Sequence, residues 1–422
     1  MLTALAKGNS ATTPRTVTSK HPSLPRVTAV VLAGGESQRF APDKLAEQVQ
    51  GKPLLDVTLA SLPEHVAIVV VGTARKVARA VIFTSEDPPG GGPAAALVAG
   101  VRRALAEPSD AIVTLPADAP LGGQAAGTLL SRLDDEPSTQ AVVGVDAHGR
   151  EQPLQLALRP AAAEALLTAG APGGAAGVSA RRLLDALRPG LVGQELAPTE
   201  VWDIDTPEQL LAWQLQSSAA VSSILKLIAA RQARIDRPVV IAIDGPSCAG
   251  KSILATAVAL RSGGAVIEGD DFYRAMLPKL SVAQRDQMSD AAVVDAVIDW
   301  ERLRDKALLP LRSRQPATFQ PYDWDADDGR LAPPKTIPAA NVIILDGVYA
   351  ARPELADLVD VAVYLGVDPQ TRARRYLERH NDPDWVRLWE RGEAHYFSAV
   401  RPPATFDIQL NDDDVTDDAL QG

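Results

Sequence analysis

Residues 245–252 have the sequence Gly-Pro-Ser-Cys-Ala-Gly-Lys-Ser, a glycine-rich stretch that ends in a lysine and a hydroxyl side chain. An apolar β-branched run precedes it at 239–243, and an apolar stretch typical of a helix follows at 253–260. A loop of this composition between a strand and a helix brings backbone N–H groups and the positive end of the helix close to a polyphosphate. The order of elements therefore predicts a phosphate-binding loop, the P-loop.

The polar side chains of this loop have separate predicted roles. Lys251 supplies positive charge to the β- and γ-phosphates, and Ser252 supplies a hydroxyl to Mg²⁺. Cys248 is either a thiol nucleophile or simply the small residue that this loop position requires. The residues predicted to bind the nucleotide are Gly245, Pro246, Ser247, Cys248, Ala249, Gly250, Lys251 and Ser252.

A second candidate phosphate site lies near the start of the chain. The apolar run at 27–32 leads into Ala33 and the pair Gly34 and Gly35, and the cations Arg39 and Lys44 follow. A Gly-Gly pair after a buried strand brings backbone amides towards phosphate, and fixed positive charge adds to that attraction. A solvated basic loop is the other interpretation.

Two carboxylates could hold a metal ion beside this second site. Asp118 follows the apolar run at 111–115, and the C-terminal end of a parallel strand is where such sheets bind ligands. There the carboxylate could hold Mg²⁺ against a triphosphate. Asp205 is either a second metal-side carboxylate or, together with Thr206, part of an ordinary helix start.

The N-terminal region also resembles a known family. Leu-Ala-Gly-Gly-x-Ser-x-Arg-Phe at 32–40, Asp-Lys at 43–44 and Gly-Lys-Pro-Leu-Leu at 51–55 resemble the signature of the molybdenum-cofactor guanylyltransferases and their nucleotidyltransferase relatives. The likeness extends over about residues 27 to 215. The sequence departs from the family at Ala41 and Ala117, where the family has glycine.

This resemblance implies in-line attack by a substrate phosphate on the α-phosphate of GTP, with Mg²⁺ bound and pyrophosphate released. It implies Arg39 and Lys44 as catalytic residues and a molybdopterin-type phosphorylated acceptor; a sugar phosphate or a cytidylyl acceptor is the alternative. Glu86 and Asp87 either accept hydrogen bonds from guanine or form a surface turn. The nucleotide-binding residues that it implies are Leu32, Ala33, Gly34, Gly35, Ser37 and Asp87.

The C-terminal region resembles a second family. The predicted strand at 265–269 leads into Asp-Asp-Phe-Tyr, another at 341–345 ends at Asp-Gly, and arginines cluster at 372–375. Together with the P-loop, these features resemble the uridine kinase and nucleoside kinase family over about residues 237 to 410. The resemblance implies that ATP phosphorylates a hydroxyl of a nucleoside.

Individual roles follow from this second resemblance. Asp270 would be the general base, and Asp346 would lie on the Mg²⁺ side, where the family has a glutamate. Arg372, Arg374 and Arg375 would form a mobile lid that stabilises the transferring phosphoryl group; a solvated helix face is the alternative.

The resemblance to the nucleoside kinases is weaker in the segment that would contact the nucleoside. Tyr322 matches an aromatic segment near the nucleoside, but the histidine that the family places shortly after it is absent, and Asp327 and Asp328 occupy that region. A non-enzymatic alternative follows, in which one half is a degenerate nucleotide-sensing module that regulates the other.

Length and composition limit the remaining choices. A chain of 422 residues predicts two or three domains, and a net charge of −11 argues against a nucleic-acid or anionic-membrane binder. A single cysteine excludes an intramolecular disulfide, and no apolar run is long enough to span a bilayer.

We predict a cytoplasmic α/β enzyme of two doubly wound domains, a Rossmann-like nucleotidyltransferase sheet followed by a P-loop NTPase sheet. The predicted segments are a disordered leader or targeting peptide at 1–26, the first domain at 27–215, a helical linker at 216–236 and the second domain at 237–422.

Overall fold

The computed structural model of the protein describes residues 26–34, 43–170, 175–274, 280–326, 329–379, 383–412 and 414. Within these residues the chain forms two separate large β-sheets, each flanked by helices. The predicted class, α/β with two successive sheets, is confirmed. No described helix has the length and apolar character needed to cross a bilayer.

The first sheet has the order β5-β4-β1-β6-β8-β7-β9. The strands of this part of the chain are β1 (Val27–Leu32), β2 (Gln48–Val49), β3 (Lys52–Pro53), β4 (Ala67–Val71), β5 (Ile82–Thr84), β6 (Ala111–Pro116), β7 (Ala141–Val145), β8 (Glu151–Leu158) and β9 (Leu191–Glu195). The pairs around β1 are parallel, whereas β8 runs antiparallel to both β6 and β7. Strands β2 and β3 form a small antiparallel pair of their own.

Helices cover both faces of this sheet. They are α1 (Leu54–Ser61), α2 (Pro93–Leu105), α3 (Gly122–Asp135), α4 (Pro160–Gly170), α5 (Ala180–Leu184) and α6 (Pro207–Leu215). Leucines of α1 and α3 pack on one face, and the Ala- and Val-rich side of α2 packs on the other with α4 and α5. Small side chains let α2 lie close to the sheet. A Cβ at Gly100 of α2, for example, would collide with Val30 of β1.

The second sheet is parallel throughout, with the order β11-β14-β10-β15-β16. The strands of this part are β10 (Val239–Asp244), β11 (Ala265–Glu268), β12 (Ala317–Phe319), β13 (Lys335–Ile337), β14 (Val342–Asp346), β15 (Val361–Leu365) and β16 (Ile408–Leu410). Its helices are α7 (Ala219–Gln232), α8 (Lys251–Ser262), α9 (Val282–Asp286), α10 (Asp290–Val297), α11 (Trp300–Leu303), α12 (Leu309–Arg312), α13 (Pro369–Arg379) and α14 (Pro383–His395).

Strand β10 lies at the centre of this sheet and is buried at every position. An apolar β-branched sequence suits such a strand because a parallel sheet covered on both faces exposes neither side. Burying each Val or Ile side chain contributes ~1.5–3 kcal/mol, which fixes the strand that leads into the P-loop.

Helix α7 lies within residues 216–236, the segment that we predict to be a linker. Its buried residues Val221, Ile224 and Ile228 belong to the same apolar core as β10 and α8. The end of α6 reaches this core as well, through Ala212 and Leu215. An apolar core therefore joins the end of the first part of the chain to the P-loop helix α8.

Candidate functional site

Lys44 lies between two carboxylates beside the C-terminal edge of the first sheet. Its Nζ donates to Asp118 Oδ2 at 2.5 Å and to Asp205 Oδ1 at 3.0 Å. The Lys44 side chain is only 12% exposed. Burial alone would lower the pKa of Lys44, but Asp118 and Asp205 outweigh it and raise that pKa. The structure therefore brings together three residues that the sequence places up to 161 positions apart.

Backbone contacts fix Asp118 at this position. It follows β6, and the buried Thr58 hydroxyl of α1 donates to the neighbouring Ala117 carbonyl at 2.8 Å. The N–H of Ile204 donates to the Asp118 carbonyl at 3.1 Å, and the N–H of Ala117 donates to Leu32. The end of β6 is thus tied to α1, to β1 and to the segment that carries Asp205.

The side chain of Asp205 does not cap the following helix. Thr206 is the N-cap of α6: its hydroxyl accepts from the Gln209 N–H, and the Gln209 side chain accepts from the Thr206 N–H in return. A capping box of this kind satisfies the free N–H groups of the first turn. The carboxylate of Asp205 is instead directed to Lys44.

A third carboxylate, Asp203, belongs to this cluster and was missed as a site residue. Burial, together with the nearby Asp118 and Asp205, raises the pKa of Asp203 to about 8, and Lys44 opposes the rise. The available signal was the alternation Asp-Ile-Asp, because residues two apart in an extended segment point the same way. Ile204 between them is fully buried.

The glycine loop after β1 is described only in part. Ala33 donates to the Val71 carbonyl at 2.8 Å, and a Cβ placed on Gly34 would lie 3.8 Å from the carboxylate of Glu86. Glu86 in turn accepts from the Gly90 N–H at 2.9 Å, whereas Asp87 is exposed. The predicted residues Gly35, Ser37 and Arg39, and the departure at Ala41, lie outside the described residues.

The P-loop connects β10 to α8 as its sequence predicts. Gly245 has a φ of 151° and packs so tightly that a Cβ would collide with the Leu365 carbonyl of β15, and Gly250 has a φ of 92°. Cys248 is buried and adopts a φ of 65°, an uncommon conformation for a residue with a side chain. Lys251 is 8% exposed, and its Nζ donates to the Pro246 carbonyl at 2.9 Å.

Asp244, the residue before the P-loop, is buried and accepts four hydrogen bonds that fix the start of the loop. The Gly245 and Tyr349 N–H groups donate to its Oδ1 at 2.8 and 2.9 Å. The Ala351 N–H and the Tyr396 hydroxyl donate to its Oδ2, each at 2.9 Å. Burial nevertheless raises the pKa of Asp244 to about 6, and these hydrogen bonds hold it from rising further.

Asp346 lies at the end of β14, beside the start of α8. It accepts a hydrogen bond from the Ser252 side chain, and burial raises its pKa to about 6 although Lys251 and Ser252 oppose the rise. Its Oδ1 is buried without a hydrogen-bond partner. Asp270 lies close enough to add to that rise, and the adjacent Asp271 accepts from Lys335 at 2.9 Å.

Two of the three predicted lid arginines contact groups of the protein. Arg372 pairs with the buried Glu393 at 2.5 Å. Arg375 donates to the Cys248 carbonyl at 3.0 Å and pairs with Asp412 at 2.9 Å. Arg374 is exposed on α13.

The predicted nucleoside contact, Tyr322, is largely inaccessible. It is 3% exposed and packs against Tyr273 and Trp324, at ring-centre distances of 5.1 and 4.7 Å. Trp324 is half exposed and is the accessible ring of this cluster. The neighbouring positions Asp327 and Asp328 lie outside the described residues.

The described residues contain no group of three or more His, Cys, Asp or Glu side chains arranged to hold a metal ion. The oxygen atoms that suit Mg²⁺ are those of Asp118 and Asp205 in the first site, with Asp203 close to both, and those of Ser252 and Asp346 in the second site. Mg²⁺ keeps several water ligands and is usually held by one or two carboxylates plus phosphate oxygens, so such pairs are adequate.

Comparison with known proteins identifies the N-terminal part. The model of the MobA-like NTP transferase domain family matches residues 29–190. A molybdenum cofactor guanylyltransferase of Acidiphilium cryptum (strain JF-5) is 34% identical over 151 residues, which make up 34% of this chain and 73% of that protein.

Two solved structures are similar to different parts of the chain. A molybdopterin-guanine dinucleotide biosynthesis protein A from Archaeoglobus fulgidus has 20% identity and a TM-score of 0.34, covering 43% of this chain and 94% of its own. A structure described as a possible uridine kinase, from Bacillus stearothermophilus, has 21% identity and a TM-score of 0.34, covering 45% of this chain and 97% of its own.

The sheet, the lysine-carboxylate cluster and the family match define the N-terminal part as a nucleotidyltransferase. Through that part, the chain belongs to the MobA-like NTP transferase family. This match ends before α6 and the P-loop, so the family says nothing about the second sheet.

Proposed function

We propose that the N-terminal part transfers GMP from GTP to a molybdopterin-type phosphorylated acceptor. The observation that carries this proposal is the position of Lys44, buried between Asp118 and Asp205 at the end of β6, the strand that pairs with β1. The name of the Acidiphilium relative supports GTP and the molybdenum cofactor as substrates.

Lys44 and the two carboxylates would have different roles in the reaction. Asp118 and Asp205 would hold Mg²⁺, which supplies charge stabilisation at the triphosphate. Lys44 would then be free to stabilise negative charge that develops on the α-phosphate and on the leaving pyrophosphate. Of the predicted glycine-loop residues that the structure describes, Gly34 would present its backbone N–H to the phosphates, because the Ala33 N–H already donates to Val71 and Leu32 is paired within the sheet. No side-chain nucleophile is needed.

Pyrophosphate release tests this proposal. The purified chain is incubated with Mg²⁺, molybdopterin-type cofactor and GTP, CTP or ATP in turn, with Lys44→Ala as the inactive control. We expect release that is selective for GTP and absent from the variant. Release with CTP would favour the cytidylyl alternative. In a parallel incubation a sugar phosphate replaces the cofactor, and release there alone would identify a sugar phosphate as the acceptor. No release with any triphosphate would contradict the proposal.

We further propose that residues 237–422 form an ATP-dependent kinase domain that phosphorylates a hydroxyl, as in nucleoside kinases. The observation that favours it is the P-loop geometry, in which Lys251 and Ser252 start α8 next to Asp346. The buried and unpartnered Oδ1 of Asp346 is a suitable oxygen for Mg²⁺. Asp270 would accept the proton of the attacking hydroxyl.

Transfer of the γ-phosphate tests this second proposal. A panel of nucleosides is incubated with labelled ATP and the whole chain, with Lys251→Ala and Asp270→Asn as separate variants. We expect a phosphorylated nucleoside from the wild type and from neither variant. Turnover that survives both substitutions, with ATP binding lost only in Lys251→Ala, would favour a nucleotide-sensing module instead.

A further inference from the structure

A buried carboxylate, Glu393 of α14, lies directly on the P-loop. Its Oε1 accepts from the Ser247 N–H at 2.9 Å and from the Ser247 hydroxyl at 2.5 Å. Its Oε2 accepts from Nη2 of Arg372 at 2.5 Å. Glu393 is 2% exposed. One oxygen is thus bound to the loop, and the other is bound to an arginine of α13.

Glu393 makes the contacts that a phosphate oxygen would make. The N–H groups of a P-loop are oriented to bind an anion, and a carboxylate accepts the same charge-assisted hydrogen bonds as phosphate. A buried carboxylate is stable only when it is paired and hydrogen-bonded, and Ser247 with Arg372 meet that requirement here. A triphosphate that reached Ser247 would bring a second negative charge to the same donors.

Arg372 is held next to the loop by more than this one ion pair. Its guanidinium lies over the ring of the buried Tyr376, one turn later on α13, at 5.1 Å from the ring centre. The Tyr376 side chain is in turn hydrogen-bonded to the Ser247 side chain of the loop. Arg375 fixes the same helix to the loop through the Cys248 carbonyl. Helix α13 therefore has contacts with the P-loop that do not depend on Glu393.

Building on the proposed kinase function, we propose that Glu393 is a positioning residue that competes with the nucleotide. It holds Arg372 beside Ser247 by taking the position of a phosphate oxygen. A bound triphosphate replaces it there and takes over both Ser247 and Arg372. Glu393 thereby keeps the lid arginine next to the phosphate site, and it weakens nucleotide binding as a consequence.

Neutralising Glu393 should strengthen nucleotide binding. In Glu393→Gln the side-chain oxygen can still accept from Ser247, but the negative charge is gone. We expect the dissociation constant for MgATP to fall at least tenfold, or ~1.4 kcal/mol. The gain for MgADP should be smaller, since ADP carries less negative charge. Loss of a merely structural contact would weaken binding, which is the opposite result.

The measurement is calorimetric titration of the whole chain with MgATP and with MgADP. Glu378→Gln on the exposed side of α13 is the matched control and should leave affinity unchanged. Glu393→Asp keeps the charge and should return affinity to near the wild-type value. In a Lys251→Ala background the effect of Glu393→Gln should disappear, because binding at the other nucleotide site does not involve Glu393.

Unchanged or weaker MgATP binding by folded Glu393→Gln would overturn the inference.

Arg372→Ala is the second test, in case Glu393→Gln does not fold. It leaves the Glu393 charge without its cation, so MgATP should bind more than tenfold more weakly, and unchanged affinity would equally overturn the inference. If the single variant Lys251→Ala binds MgATP as tightly as the wild type does, the kinase proposal itself fails and the inference fails with it.

Discussion

Replacing Lys44 with methionine removes the cation between Asp118 and Asp205 and keeps a side chain of similar length. Two unit charges ~4 Å apart interact by ~4 kcal/mol at an effective dielectric constant of ~20. The burial of Lys44, which is the largest single influence on its pKa, offsets much of that gain. Asp205 is 58% exposed, so its pair contributes at most ~1 kcal/mol. We expect Lys44→Met to lower the free energy of unfolding by ~2–3 kcal/mol near pH 8.

The loss should depend on pH through Asp203. An acid whose pKa is raised in the folded state stabilises the fold at low pH, and that contribution is lost as the pH rises through the folded pKa. For Asp203 the window runs from about 4 to about 8. Lys44 opposes this rise, so without it the pKa of Asp203 should rise further, at ~1.4 kcal/mol per pH unit. The penalty of Lys44→Met should therefore be larger at about pH 9 than at about pH 6.

Chemical denaturation at these two pH values, with and without millimolar Mg²⁺, measures the effect. Lys76→Met, at an exposed lysine with no described ion pair, is the matched control and should cost little at either pH. Mg²⁺ should restore more stability to Lys44→Met than to the wild type, because it can neutralise the carboxylates. An equal loss at both pH values, or no response to Mg²⁺, would contradict the proposed coupling between Lys44 and the carboxylates around it.

Three further predictions concern single positions. Thr58→Val leaves the buried Ala117 carbonyl without its donor, so the free energy of unfolding in urea should fall by ~1–3 kcal/mol. Gly245→Ala forces a Cβ against the Leu365 carbonyl, and equilibrium titration should show MgATP binding lost at the P-loop. Because the pKa of Asp244 is raised to about 6, its contribution to stability should fall by up to ~3 kcal/mol between about pH 4 and about pH 6. In thermal unfolding, Asp244→Asn should make this slope shallower by that amount, while Asp346, whose pKa is also raised to about 6, keeps its own share.

Local sequence patterns predict much of the fold. The apolar runs at 27–32 and 239–243 are the central strands of the two sheets, since a strand buried on both faces needs apolar residues throughout. The antiparallel β8 was not predicted, because strand direction depends on pairing partners far away in the chain. Its sequence, Glu-Gln-Pro-Leu-Gln-Leu-Ala-Leu, contains no β-branched residue and gives no indication of strand direction.

Some residues of the two candidate sites can be predicted from local sequence, and others cannot. Lys44, Asp118 and the P-loop residues follow from short motifs, because the motif itself places backbone amides and charges. Asp244 and Glu393 were not predicted as site residues, since their roles depend on contacts with distant segments. Glu393, for example, reaches Ser247 across 146 residues. Nothing in the local sequence around Glu393 indicates that its carboxylate meets a P-loop amide.

The fate of the α-phosphate of GTP tests the proposed nucleotidyltransferase activity directly. The whole chain is incubated with α-labelled GTP, Mg²⁺ and molybdopterin-type cofactor, as wild type, as Lys44→Met and as Lys251→Ala. We expect label to move to the acceptor in the wild type and in Lys251→Ala, and the rate to fall ~10²–10³-fold in Lys44→Met. Transfer that persists in Lys44→Met, or that requires Lys251, would contradict the proposal.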